Sequence, residues 1–294
     1  MTALTKAAEN GHYTIVEQLV AKQAALNIRT HQDETALMIA CRKGHFNVVS
    51  ILIKCLNECI NNRYISKDSE CFSLENENWI TFKQLPYAFC SLPVTFTNDE
   101  RNQAFLNAYH NKHIDIMKLL LDNGATVNLL LNNGKNYKLT QFRKSLTLLN
   151  VAVLNREYEI VNILLNNGAQ VQKRANYGIP PLMLASRSCS KHINIVKILL
   201  KHGSNINSTS EYIPIYITLL EYIWIRQNSN KSKIIRKYEN PDKNGTALIC
   251  AVQSSCLKLI EALVQERNVD INSQTSMGRT ALMIACGTVG REKQ

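Results

Sequence analysis

Residues 35–41 read TALMIAC, and residues 280–286 read TALMIAC again. Extended, the first copy is TALMIACRKGHFNVVSILI, and 33 positions earlier the chain opens with TALTKAAENGHYTIVEQLV, which agrees at nearly every apolar or glycine position. Self-similarity at this period marks stacked units, each too small to bury its apolar face alone. No other feature constrains the fold as strongly. A chain of 294 residues has enough sequence for two closed cores, but the period predicts a one-dimensional array in which each unit packs on its neighbours.

Each clear unit starts with Thr, or in one case Pro, at the point where a first helix begins, a suitable cap position for a hydroxyl. Small and apolar residues follow at helical spacing, Leu37, Ala40 and Cys41 in one unit and Leu282, Ala285 and Cys286 in another. A Gly-His or similar turn leads to a second helix with paired apolar residues, such as Val48, Val49, Leu52 and Ile53, or Ile195, Val196, Leu199 and Leu200. That helix stops at NGA or HGS, where glycine supplies the left-handed turn: Gly124, Gly168 and Gly203.

With these elements in register, the sequence resembles the ankyrin repeat: a β-turn finger, Thr-Pro-Leu-His, two alanines, Gly-His, an Ile-Val pair, a Leu-Leu pair and Gly-Ala. The resemblance is strong over residues 2–61, 103–128, 147–207 and 246–286. It implies an all-α ankyrin-repeat solenoid of about eight or nine helix-turn-helix units with short β-turn fingers, some of them divergent. Two departures stand out. Only Pro181 keeps the motif proline, and Met38, Met183 and Met283 stand where the family usually has histidine, which removes a hydrogen-bonding anchor for the finger.

First helices placed at 2, 35, 103, 147, 180, 246 and 280 leave gaps of 33, 68, 44, 33, 66 and 34 residues. The two doubled gaps predict worn repeats beginning near Ser69 and Ile213. The expected organisation is therefore a single array over 1–294, with a divergent repeat or insertion at 62–102, an insertion at 132–146 and a divergent repeat at 208–245.

Nothing in the chain has the spacing of a phosphate-binding loop, a dinucleotide fingerprint, a zinc-protease helix or a nucleophile elbow. His12, His45, His113 and His192 recur at the starts of second helices and read as turn residues, not as a catalytic group. Nine cysteines without a secretory signal read as reduced thiols, and no pair has zinc-knuckle spacing. The expectation is a cytoplasmic, non-catalytic chain with no cofactor and no metal. The most apolar stretch, residues 212–225, is broken by Pro214 and Glu221 and is shorter than the roughly 20 residues of a membrane span.

The formal charge is +11, but its distribution argues against a nucleic-acid stripe. Residues 55–100 carry seven acids against three bases. Positive charge collects at Lys135, Lys138, Arg143 and Lys144, and again at Arg226, Lys231, Lys233, Arg236, Lys237 and Lys243. Runs of this kind are usually solvated surface, and the binding alternative is an acidic protein partner.

The resemblance implies a protein-binding scaffold or adaptor that holds its partner on the concave face. The alternative is the targeting array of a larger enzyme, such as an ankyrin-containing protein kinase. In that family the two residues before the Gly-His turn, together with the finger tips, face the groove. By register the turn positions here are Glu9, Asn10, Arg42, Lys43, Asn111, Asn155, Arg187 and Gln253. The finger tips are His31, Gln32, Asn176, Tyr177, Ser276 and Met277. These positions vary while the framework repeats, as recognition requires and as free drift of exposed residues also produces. Arg42, Lys43, Arg187 and Tyr177 are the expected energetic anchors, since Arg and Tyr dominate interface hot spots.

Overall fold

The computed structural model describes residues 1–65, 98–129, 146–174, 179–187, 193–210 and 245–289, without the side chains of 58–65 and 288–289. They fall in two compact units, residues 1–126 and 127–294. The first unit holds α1 (Ala3–Asn10), α2 (Tyr13–Ala21), α3 (Ala36–Lys43), α4 (Phe46–Ile65), α5 (Asn98–His110) and α6 (Ile114–Asp122). The second holds α7 (Leu148–Leu154), α8 (Tyr158–Asn166), α9 (Pro181–Ala185), α10 (Ile193–Lys201), α11 (Ala247–Gln253), α12 (Leu257–Val264) and α13 (Ala281–Val289). All named elements among the described residues are helices, and they pair as the period predicts. No helix among them is long and apolar enough to cross a membrane.

Local chemistry starts each first helix. Thr2 Oγ1 accepts from Thr5 N at 3.2 Å, and Thr5 Oγ1 accepts in return from Thr2 N at 2.8 Å. Thr35, Thr147, Thr246 and Thr280 each accept from the backbone three residues on, at 3.3–3.4 Å. Pro180 and Pro181 open α9 instead, where a missing N–H costs nothing because the first turn has no intrahelical acceptor.

Small residues then let the first helices approach. Ala8, Ala40, Cys41, Ala104 and Ala108 have no exposed surface, and α1 packs on α3 and α3 on α5. The second helices follow, α2 on α4 and α4 on α6, sealed by Val16, Val48, Val49, Met117 and Leu120 at 0% exposure. In the other unit α7, α9, α11 and α13 stack in that order through Ala152, Ala185 and Ala251, beside α8, α10 and α12.

Hydrogen bonds along each stack identify the direct neighbours. His45 Nε2 lies 3.0 Å from the carbonyl of Glu9, and His113 Nε2 lies 3.2 Å from the carbonyl of Arg42. The same bond thus joins the first pair to the second and the second to α5–α6, although 71 residues separate His113 from Arg42. In the second unit Asn128 donates to Gly168 O and accepts from Gln170 N, and Asn207 does the same with Asn268 O and Asp270 N. Ser210 N–H also donates to Gly245 O at 3.3 Å, so these two backbones meet.

The first helices flanking both doubled gaps touch directly, α3 with α5 and α9 with α11. Residues 66–97 and 211–244 themselves lie outside the described residues, as do 130–145, which include nearly all of the expected 132–146 insertion. At the edges of 62–102 the assignment changes: residues 62–65 end α4, and 98–102 begin α5. That helix starts at Asn98, ahead of the expected position 103. Asp99 and Glu100 sit in its first turn, where negative charge is favoured, and Glu100 is buried against Arg29 at 3.0 Å.

Turn chemistry makes a sharp comparison. Gly44 has φ +82°, and a Cβ there would lie 2.5 Å from the His113 ring; Gly203 has φ +83° and nothing within 4 Å. Gly203→Ala is expected to cost about 1 kcal/mol for the left-handed backbone alone. Gly44→Ala is expected to cost about 1 kcal/mol more, because the imidazole must give up its carbonyl bond. Urea denaturation of the two variants checks the ordering, and equal losses would show that the histidine contact carries no stability.

Thiol reactivity offers a second check. Cys41 and Cys286 occupy the same position of TALMIAC, yet Cys41 is buried and Cys286 exposed. Burial pushes the Cys41 thiol up, and pushes that of Cys250 up to about 12. In dilute folded protein, iodoacetamide followed by mass spectrometry is expected to label Cys286 first and Cys41 only at the rate of opening. Similar rates at both would contradict the stacked position of α3.

Candidate protein-binding surface

The expected surface is built from the ends of the first helices and from the fingers. In the first unit the histidine bonds set turn beside turn, which places Glu9 and Asn10, Arg42 and Lys43, and Asn111 along one row. Asn10, Lys43 and Asn111 are exposed. Glu9 is half-buried and bound by Lys6 at 2.8 Å, whose hydrogen bond and charge hold its carboxyl below the usual range.

Arg42 is engaged within its own repeat. Its guanidinium grips Glu34 with two bonds, Nε to Oε1 at 3.1 Å and an Nη to Oε2 at 2.9 Å. Asn107 on α5 donates to Glu34 Oε1 at 3.4 Å and to the Met38 carbonyl at 3.2 Å. Arg42 thus ties its own finger to its own helix, and Asn107 ties both to the next. Sequence pattern alone missed Glu34 and Asn107 because their contact spans 73 positions.

The finger survives the loss of the family's histidine. Thr30 N donates to Glu34 O at 3.0 Å and Asp33 N to Thr30 O at 2.9 Å, with His31 and Gln32 exposed at the tip. Thr275 N to Arg279 O and Gly278 N to Thr275 O repeat that turn, with Ser276 and Met277 exposed. At the position of the lost histidine, Met38 Sδ receives Thr35 N at 3.5 Å. In the α7–α8 pair Asn150 stands at that position instead, and its Nδ2 donates to Lys173 O at 3.2 Å. Arg29 adds a clamp, bonding Asp33 in its own finger at 3.0 Å as well as Glu100.

In the second unit Asn155 is exposed at the end of α7 and Gln253 is half-buried at the end of α11. Arg187 is partly buried at the end of the α9 turn. Its side chain is packed down near Cys250 on α11, and burial lowers its pKa while Cys250 acts in the opposite direction. Asn176 and Tyr177 lie outside the described residues. Asn10, Lys43, Asn111 and the tip His31–Gln32 are thus exposed in one unit, and Asn155 and the Ser276–Met277 tip in the other.

The stability consequence separates the two basic neighbours. Arg42→Ala is expected to cost about 1 kcal/mol by releasing Glu34, whereas Lys43→Ala is expected to stay within about 0.5 kcal/mol. Thermal melts of both variants check this, and equal shifts would mean that the Glu34 pairing contributes nothing.

Comparison with known proteins agrees with this architecture. A family model described as ankyrin repeats (3 copies) matches residues 1–64, 123–210 and 220–293. It passes over α5, although the structure stacks that helix on α3. A 47-residue stretch is 49% identical to "Probable E3 ubiquitin-protein ligase XBOS33" of Oryza sativa subsp. japonica, covering 16% of this chain and 9% of the rice protein. A 54-residue stretch is 39% identical to the ankyrin repeat and KH domain-containing protein mask-1 of Caenorhabditis elegans, covering 18% of this chain and 2% of that protein. The chain thus spans only a small part of these relatives. The crystal structure of the human ASB11 ankyrin repeat domain superposes with a TM-score of 0.51 at 16% identity, covering 97% of this chain and 92% of that one, a likeness of fold alone. With repeat period, helix pairs, caps and fingers all in register, the chain belongs to the ankyrin-repeat family, whose arrays are protein-interaction domains.

Proposed function

We propose that the chain is a non-catalytic scaffold or adaptor that binds a protein partner on the face formed by the first-helix ends and the fingers. One observation carries this reading: the polar side chains of Asn10, Lys43 and Asn111 are exposed at successive turns whose backbone is held by a repeating histidine–carbonyl bond. A repeated frame under exposed polar side chains offers a long surface, which suits recognition.

The intervening segments support the same face. Residues 66–97, 130–145 and 211–244 all fall between a second helix and the next first helix, the finger point of the repeat. We read them as finger insertions, which in repeat arrays map to one face, often the binding face. Two of them carry the basic residues Lys135, Lys138, Arg143 and Lys144, and Arg226 to Lys243, which are complementary in charge to an acidic protein partner. Buried free thiols at Cys41, Cys55, Cys250 and Cys256 fit a reducing, cytoplasmic setting.

A second reading, an array that directs a larger enzyme, is favoured by the small share of each relative that the chain spans, one of them named as a ligase. A longer native reading frame with a catalytic domain would support it.

The test is affinity capture from the native cell with three proteins: the wild type, an Asn10→Arg/Lys43→Glu variant, and an Asn47→Arg variant on the second-helix side. The first variant is expected to lose capture about tenfold or more, as truncating an interface centre does, with its melting temperature unchanged. The second is expected to capture as the wild type does. The reverse pattern would move the binding surface to the second-helix side.

A further inference from the structure

The turns of residues 1–126 differ in which of their side chains the protein itself already engages. Glu9 is bound by Lys6 at 2.8 Å, Arg42 is bound by Glu34 at 2.9 Å, and Arg29 takes both Asp33 and Glu100 at 3.0 Å. Lys43 is different. It is exposed and forms no ion pair among the described residues, although its charge reaches Glu9 at longer range. The exposed amide of Asn10 likewise makes no hydrogen bond among the described residues. Asn111 is engaged on one side: its Nδ2 donates to the Asn107 carbonyl at 2.9 Å, which fixes the amide and leaves Oδ1 as an acceptor.

These three side chains hold one position of the repeat, the residue just before the left-handed turn residue Gly11, Gly44 or Lys112. The histidine–carbonyl bonds join the first of these turns to the second and the second to the third, and α1, α3 and α5 pack in that order. Helices packed side by side lie about 8–10 Å apart. An extended chain advances about 3.3 Å per residue, so about three residues cover the step from one turn to the next and about seven cover all three turns.

We propose that these turns take an extended, acidic segment of the protein partner, with a carboxylate on Lys43 and backbone groups of the segment on Asn10 and Asn111, an assignment that rests on the partner-binding reading above and adds the partner's chemistry. An ammonium donates only, so the group it meets must accept, and a carboxylate also matches its charge. Lys112 is exposed beside Asn111, in a left-handed backbone at φ 59° that favours glycine, and adds a second cation at the same turn. The nearby carboxylates do not compete, because Glu9 and Glu34 are paired and Asp115 lies against Lys118 at 3.8 Å. Asn111 separates a peptide from a nucleic acid. Its remaining Oδ1 calls for an N–H donor, which a peptide backbone offers at every residue but proline and a sugar–phosphate backbone lacks.

The test is selection of a random heptapeptide library on the full chain and on its Lys43→Glu variant, followed by fluorescence polarisation of a peptide selected on the wild type. The expected result is Asp or Glu enriched at one position with the wild type and Lys or Arg at that position with the variant. The wild-type peptide is expected to bind the variant about tenfold more weakly, while the variant melts as the wild type does. Its binding to the unaltered chain is expected to weaken as salt rises, since an exposed charge pair is screened, a readout that needs no substitution. Failure to select any peptide, selected peptides without an acidic position, or an acidic preference that persists in the folded variant, overturns the acidic segment and leaves the partner-binding reading standing. A labelled oligonucleotide of mixed sequence that binds more tightly than the peptide, and loses binding in Lys43→Glu, also overturns it, by assigning the turns to nucleic acid. Native-cell capture indifferent to the Asn10 and Lys43 substitutions removes both readings.

Discussion

Within residues 1–126 the stack depends on a contact between one repeat's turn and the next repeat's histidine. Gly11 and Gly44 turn the chain in the left-handed region, and a Cβ on either would lie 2.5–2.6 Å from the imidazole of His45 or His113. The glycine therefore does two things: it permits the backbone angle, and it leaves the space in which the ring reaches the carbonyl of the preceding helix. Because the ring comes from the next unit, the turn is complete only when the units are stacked. Stability of this kind is distributed over neighbours and not held in one core.

That arrangement explains how long intervening segments are accommodated. The bond from His113 to Arg42 has the same partners and nearly the same length as that from His45 to Glu9, although far more chain separates its ends. A neighbour contact depends on what the stack brings together, and loop closure adds only slowly to its cost as the loop lengthens. The helix pairs on either side of 66–97 and of 211–244 still touch within their own units.

The candidate surface shows how a repeated frame divides its polar residues. Arg42 and Lys43 are adjacent and both basic, yet Arg42 is occupied by Glu34 while Lys43 is exposed. The pairing holds the finger where the family's histidine is replaced by Met38, and at the same repeat position in the second compact unit Asn150 bonds the Lys173 carbonyl. A lost anchor is thus replaced by different chemistry in different units, which keeps the fingers in place while their tips diverge.

The amino-acid pattern by itself determined the period, the threonine caps, the glycine stops and the apolar faces, because each depends on groups within a few residues of one another. It also marked the turn positions whose exposed side chains form the candidate row. Tertiary structure alone decided which units are neighbours across 66–97 and 211–244, where α5 begins, and that Arg29 meets Glu100 and Arg42 meets Glu34 and Asn107. It alone decided that one TALMIAC is buried and its twin half-bare. The reason is the same in each case: a helix is specified by its own sequence, but the exposure of its side chains is specified by what packs on top of it.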